Sequence, residues 1–202
     1  MPVLRPAVFL DRDGVIIENR ADYIKSLAET RFIPGALAAL ARLAQHDWLI
    51  VIVTNQAAIG RQIITRETAE AINAHVVAGI VAAGGRVDGL YLCPHRPEDG
   101  CACRKPAPGL LLQAAEELGI DLAASIMIGD SASDLLAARA AGARPILVLT
   151  GLAERQDQEL AQARHLEAAS FADLAAAADH LLSAAAGAPS RSEPETPELS
   201  AD

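Results

Sequence analysis

The chain has 202 residues, enough to bury a core of its own, and 51% of them are hydrophobic while only 3% are aromatic. Its 26 acidic and 17 basic residues leave a formal net charge of -9. This argues against nucleic acid or an anionic membrane as partner, and the scarce aromatics argue against stacking on bases. No apolar run reaches the roughly 18 residues of a membrane span, and the start lacks a signal peptide's long apolar stretch. The expectation is one cytoplasmic domain, monomeric by default.

An apolar run at 7–10 stops at Asp11-Arg12-Asp13-Gly14, which reads as a buried strand entering a turn. Residues 17–33 lack an apolar period, since Asn19, Arg20, Asp22, Tyr23 and Lys25 interrupt it, and are expected as loop. Pro34-Gly35 opens a helix with Leu37, Leu40, Leu43 and Ala44 on its apolar face. A second strand, 48–53, ends in Thr54-Asn55-Gln56, with loop expected over 57–62. Thr65 caps a helix running to about Ala83, which Gly84-Gly85 stop. A third strand at 87–92 leads into a loop carrying every cysteine of the chain.

Pro108 and Gly109 start a helix that Gly119 ends. The fourth strand, 126–128, runs into Gly129-Asp130-Ser131-Ala132-Ser133-Asp134, where Ser133 opens a helix closed by Gly142. A fifth strand lies at 146–149, and Ser170-Phe171-Ala172-Asp173 has the shape of a capping box before a last helix, 173 to about 185. From 187 to 202 the residues are mostly small and polar, so the domain is expected over 1–186 with a disordered tail. Strands alternating with helices predict an α/β fold: a three-layer, Rossmann-like, mostly parallel sheet with helices on both faces. The short spacing between motifs leaves no room for a large cap domain. Sites in such sheets lie beyond the carboxyl ends of the strands, where Asp11, Thr54 and Asp130 fall.

Asp11 and Asp13 would repel each other unless a cation sits between them or one keeps its proton. Hard oxygen ligands suit magnesium; the plainer alternative is an ordinary Asp-Gly turn. Cys93, His95, Cys101 and Cys103 fall within eleven residues. An odd number of cysteines argues against a disulfide framework, and one imidazole with three thiolates makes a tetrahedral zinc set. Four protein ligands leave no open position, so this zinc is expected to be structural, bracing the loop and fixing Arg104 and Lys105.

An acidic pair at a strand tip, a hydroxyl, a lysine and a further acidic pair, in that order, resemble the haloacid dehalogenase-like phosphohydrolase superfamily. The resemblance implies that Asp11 is a nucleophile that becomes an aspartyl-phosphate. It implies that Asp13 protonates the leaving alcohol and then deprotonates the attacking water. Crowded acidic surroundings are expected to raise the Asp13 pKa. Asp11, Asp130 and the backbone carbonyl of Asp13 would hold magnesium, while Thr54 and Lys105 hold the phosphoryl oxygens. Asp134 is left with three roles: positioning Lys105, holding the metal's waters, or capping the next helix.

The zinc loop, Cys-x-His followed by Cys-x-Cys-Arg-Lys-Pro, is similar to that of a branch acting on small, charged substrates. A heptose 1,7-bisphosphate that loses its 7-phosphate is the first expectation, and histidinol phosphate the alternative. By the same resemblance Asn19, Arg20, Asp22, Tyr23, Asn55 and Gln56 meet the sugar, and Arg104 meets the second phosphate. Ser131 stands where the heptose branch often carries lysine, which leaves that contact open. A non-catalytic, zinc-braced binding protein is the reading from another class. It is opposed by the complete set Asp11, Asp13, Thr54, Lys105 and Asp130.

Overall fold

A strand that is apolar at every position must be covered on both faces, and β1 (Ala7–Leu10) is fully buried along its length in the computed structural model. The structure describes residues 4–152 and 155–186; the expected tail lies outside the described residues. β1 pairs in parallel with β2 (Leu49–Asn55) on one side and β4 (Ile126–Gly129) on the other. β3 (Gly89–Cys93) flanks β2, while β5 (Arg144–Val148) and β6 (Ala169–Phe171) extend the other edge. The order is β3-β2-β1-β4-β5-β6 with every pairing parallel.

Successive side chains of a strand point to opposite faces. Val8, Leu10, Ile50, Ile52 and Ile128 pack on one side with α1 (Ala36–Leu43), α3 (Arg66–Ala82) and α7 (Leu174–Ala186). Ala7, Phe9, Val51, Val53 and Met127 pack on the other with α4 (Gly109–Leu118) and α5 (Ala132–Ala141). α6 (Gln156–His165) closes on Leu147 and Leu135 through Ala163. Between β1 and β2 the chain adds only a turn of 3-10 helix, Leu27–Glu29, and α1, so no large cap stands over the sheet. No helix of the described residues is long and apolar enough to cross a membrane.

Several local expectations shift. Residues Ala57–Gly60 form a single helical turn, α2, where loop was expected. Ser131, not Ser133, precedes α5, because the cap must be extended while Ser133 already sits in the first turn. Ser170 belongs to the short edge strand β6, and Asp173 takes the capping role, its Oδ1 accepting the Ala176 N–H at 2.8 Å. β6 and α6 have no counterpart in the sequence reading. A three-residue strand shows no period, and α6 buries only Ala163.

The strand order reverses beside β1, with β2 on one side and β4 on the other. At such a reversal the flanking connections leave in opposite directions and open a crevice beyond the strand ends. Leu10 pairs with both Ile52 and Ile128, so the residues that follow each strand emerge at similar height.

Candidate active site and cysteine loop

Asp11 follows β1 directly at that reversal. Its Oδ1 accepts the Arg12 N–H at 2.7 Å and lies 3.0 Å from Lys105 Nζ. Lys105 is buried, donates to the Val53 carbonyl at 2.8 Å, and brings Nζ to 2.6 Å from Asp134 Oδ1. That last contact is a buried ion pair, and apart from the ammonium Asp134 Oδ1 has no partner. Asp134 Oδ2 accepts the Ser131 N–H at 3.1 Å and its Oγ–H at 2.7 Å. Two of the three roles left open for Asp134 therefore coincide: it caps α5 and it pairs with Lys105.

Carboxylate oxygens of Asp11, Asp130 and Asp134 lie within 4.8 Å of one another. Burial pushes the Asp11 carboxyl from 3.8 up to about 7; Lys105 opposes the shift, and Asp134 and Asp13 add to it. Burial also lifts Asp130 well above the usual carboxylate range, with Asp134 and Asp11 adding their repulsion. For Lys105 burial works downward, but the charges of Asp11 and Asp134 outweigh it and raise the ammonium above its usual value. Two glycines make room for Asp130. A Cβ on Gly14 (φ +88°) would stand 2.2 Å from Asp130 Oδ2, and one on Gly151 would stand 2.5 Å from it. An all-oxygen cluster of carboxylates that destabilise one another fits a hard divalent cation such as magnesium.

The acidic surroundings expected for Asp13 belong instead to Asp11 and Asp130. Asp13 faces donors: Arg12 Nε and Nη2, each at 2.9 Å, and Gln56 Nε2 at 2.9 Å. The Asp13 side chain points to this fork because the turn after β1 buries Arg12 beneath it. Thr54 is buried at the end of β2, its hydroxyl accepting from the same Gln56 amide at 2.8 Å.

The crevice, about 430 Å³, is lined by Asp11, Asp13, Lys105 and Asp130. Asn19, Arg20, Tyr23, Asn55, Gln56, Arg104 and Ser131 also reach it. Several of these spend their polar atoms on the protein itself. Asn19 donates to Asp130 Oδ2 at 3.2 Å. Asn55 clasps the Lys105 backbone, accepting its N–H at 3.1 Å and donating to its carbonyl at 3.0 Å. Arg20 forks onto Asp22 at 3.1 and 3.2 Å, and Asp22 also pairs with Lys25 at 2.6 Å. Asp22 is exposed and does not line the crevice. Tyr23 does, with a left-handed backbone (φ +66°) that a bulky residue seldom adopts.

Other residues around the site went unnoticed in the sequence. Arg155, Gln156 and Glu159 line the crevice from the start of α6. The Glu159 carboxylate accepts the N–H of Ala132, the first residue of α5. Arg12 and its buried partner Asn73 on α3 were also missed. A charge between two acids was visible at Arg12, but its burial depends on a helix whose contacting residue, Asn73, lies 61 residues onward in the chain.

The cysteine loop is more local. Cys93 Sγ lies 3.6 Å from both His95 Nδ1 and Cys101 Sγ and 3.2 Å from Cys103 Sγ. Cys103 Sγ lies 3.3 Å from His95 Nδ1 and 3.4 Å from Cys101 Sγ. The thiols are free, and all are far beyond the roughly 2.05 Å of a disulfide. The edges of a zinc tetrahedron with bonds of about 2.3 Å are about 3.8 Å long. The four donors thus stand slightly closer than zinc would hold them, in a set whose chemistry suits that ion. Arg104 Nη1 donates to the His95 carbonyl at 3.2 Å, which ties the loop to the crevice wall.

A family model described as haloacid dehalogenase-like hydrolase matches residues 2–139, and a second hydrolase-like model of the same group matches 102–177. D-glycero-beta-D-manno-heptose-1,7-bisphosphate 7-phosphatase of Bordetella bronchiseptica is 42% identical over 87% of this chain and 97% of its own length. The enzyme of that name from Pseudomonas aeruginosa is 45% identical over 73% of this chain and 83% of its own. The crystal structure of D,D-heptose 1,7-bisphosphate phosphatase from B. bronchiseptica, complexed with magnesium and phosphate, matches with a TM-score of 0.82 at 40% identity. That match covers 89% of this chain and 99% of the other.

Proposed function

Because the chain belongs to the haloacid dehalogenase-like hydrolase family, we propose that it is a magnesium-dependent phosphatase that removes the 7-phosphate of D-glycero-beta-D-manno-heptose 1,7-bisphosphate. The observation that carries this reading is the setting of Asp11. Its carboxylate stands at the strand reversal, 3.0 Å from a buried ammonium and within 4.8 Å of oxygens of Asp130 and Asp134. The names of the similar Bordetella and Pseudomonas enzymes support the choice of substrate.

Lys105 draws the phosphoryl group to the mouth of the crevice and neutralises part of its charge. An Asp11 oxygen attacks phosphorus, the bond to the sugar oxygen breaks, and an aspartyl-phosphate forms. Asp13 gives its proton to the leaving C7 oxygen. It then takes a proton from water as that water attacks phosphorus, which restores Asp11 and frees phosphate. Asp11, Asp130 and the Asp13 carbonyl would hold magnesium, which when bound screens the repulsion between carboxylate and phosphate. Asn55 keeps Lys105 in place through its backbone, and Asp134 does so through its charge. Arg104, beside the cysteine loop, meets the 1-phosphate; Cys93, His95, Cys101 and Cys103 would hold zinc as a brace.

The test is phosphate release from heptose 1,7-bisphosphate by the full chain with magnesium, beside histidinol phosphate. One phosphate per bisphosphate, a strong preference for the heptose, and no release by Asp11→Asn are expected. Equal rates for wild type and Asp11→Asn overturn the mechanism, and a preference for histidinol phosphate overturns the substrate.

A further inference from the structure

Arg12 is the largest fully buried side chain of the described residues, and nothing in the reaction above uses it. A guanidinium removed from water is costly unless each face is paired. Here Nε donates to Asp13 Oδ1 and Nη2 to Asp13 Oδ2, each at 2.9 Å, a planar fork onto a carboxylate. Nη1 donates to Asn73 Oδ1 at 2.6 Å, and Asn73 is itself only 6% exposed in the middle of α3. Helix α3 packs on the same sheet face as Leu10, so Asn73 braces the arginine from the core side. Gln56 completes the cradle, one amide hydrogen on Asp13 Oδ2 and the other on Thr54 Oγ1.

An ionised carboxylate offers about four lone-pair sites. Oδ2 of Asp13 receives two donors and Oδ1 one, so the vacancy lies on Oδ1. We propose that Arg12, backed by Asn73, is a positioning residue that fixes the Asp13 carboxylate in one plane, so that its proton passes through Oδ1. The proposal rests on Asp13 being the proton carrier of the proposed function. In the first step the P–O bond to the sugar breaks, and the leaving oxygen takes the proton from Oδ1. In the second, water returns a proton to Oδ1 as its oxygen bonds to phosphorus and the Asp11–phosphorus bond breaks. Lysine, a point charge without the fork, holds the carboxylate's position but not its plane.

The test compares two esters on the same preparations with magnesium and excess enzyme, reading release of the alcohol in a single turnover. Heptose 1,7-bisphosphate has a leaving oxygen that needs a proton; p-nitrophenyl phosphate has one that does not. In Arg12→Lys and Asn73→Leu the ratio of alkyl to aryl rates is expected to fall about tenfold or more, part of the roughly hundredfold to ten-thousandfold that general acid catalysis supplies. Asn73→Asp, which keeps an acceptor for Nη1, is expected to restore most of it. Taking the ratio cancels differences in folded fraction, so the result stands even if Arg12→Lys is poorly folded. A ratio within about twofold of wild type means the arginine only holds the turn together and overturns the proposal. A wild type inactive on both esters overturns the proposed function itself, a distinct result.

Discussion

The acidic crevice and the cysteine loop both suit a cation, yet different forces hold them. Asp11 and Asp130 stand on the ends of β1 and β4, strands buried on both faces and locked in register by Leu10 and Ile128. The loop between β3 and α4 has a single buried residue among its four donors, Cys93, which joins the core beside α4, while Cys101 and Cys103 pack at that core's margin and His95 is exposed. Loss of the cation from the crevice leaves a scaffold standing with unbalanced charge. A zinc ion in the loop would add its binding free energy to the loop's own few contacts, so its loss should loosen the loop first.

The largest expected effect is on catalysis. Asp11→Asn should lower phosphate release at least about a thousandfold, the scale seen when a covalent nucleophile is removed. It should leave the melting temperature near that of wild type, because the strand beneath it is unchanged. A matching collapse of the melting temperature would break the contrast between scaffold and site.

Lys105→Met comes next. It leaves Asp11 and Asp134 facing each other without the buried ammonium, a loss of about 3–5 kcal/mol for one partner of a buried pair. Urea denaturation measures this, and an unchanged midpoint would show that water already reaches the pair.

Cys101→Ser tests the loop. Wild type should carry about one zinc per chain, the stoichiometry of a four-ligand site, and keep it when magnesium is chelated. The variant should lose zinc, melt lower and show faster amide exchange across 93–105. Chelating magnesium should stop turnover reversibly with little change in melting. Fully stable protein without zinc would erase the distinction.

A smaller effect is expected from pH in metal-free protein. Native Asp11 keeps its proton to about 7, whereas the unfolded chain releases it near 3.8. Between those values the native state binds more protons, so stability falls as pH rises through the window, and the penalty is complete above it. Asp130 acts in the same direction. Magnesium should flatten the slope by stabilising the ionised carboxylates, and a slope that ignores magnesium would separate these groups from the metal.

The smallest effect belongs to Asp22→Asn. Its ion pairs with Arg20 and Lys25 are exposed and screened by water. Turnover should change little, and a large drop would bring Asp22 back into the substrate site.

Legibility followed locality. Cys93, His95, Cys101 and Cys103 could be grouped by eye because their spacing is their geometry. Asp11 and Asp130 could be placed because an apolar run ended by an acid marks a strand tip, and strand tips share one side of a parallel sheet. Asn55 and Gln56 were recognised as close to the site, but not that one clasps Lys105 and the other bridges Asp13 to Thr54. Helix α6 escaped notice because its sequence is mostly polar and its burial rests on Ala163 alone.

The amino-acid order by itself determined the strand-and-helix alternation, the acids at the strand ends and the compact sulfur-and-imidazole set. Each of these depends on periodicity or short spacing within one element. Only the tertiary structure decided what each acid faces: Lys105 for Asp11 and Asp134, Asn19 for Asp130, Arg12 and Gln56 for Asp13. Those partners come from different turns, strands and helices, and their charges count as they do because folding removes the water between them.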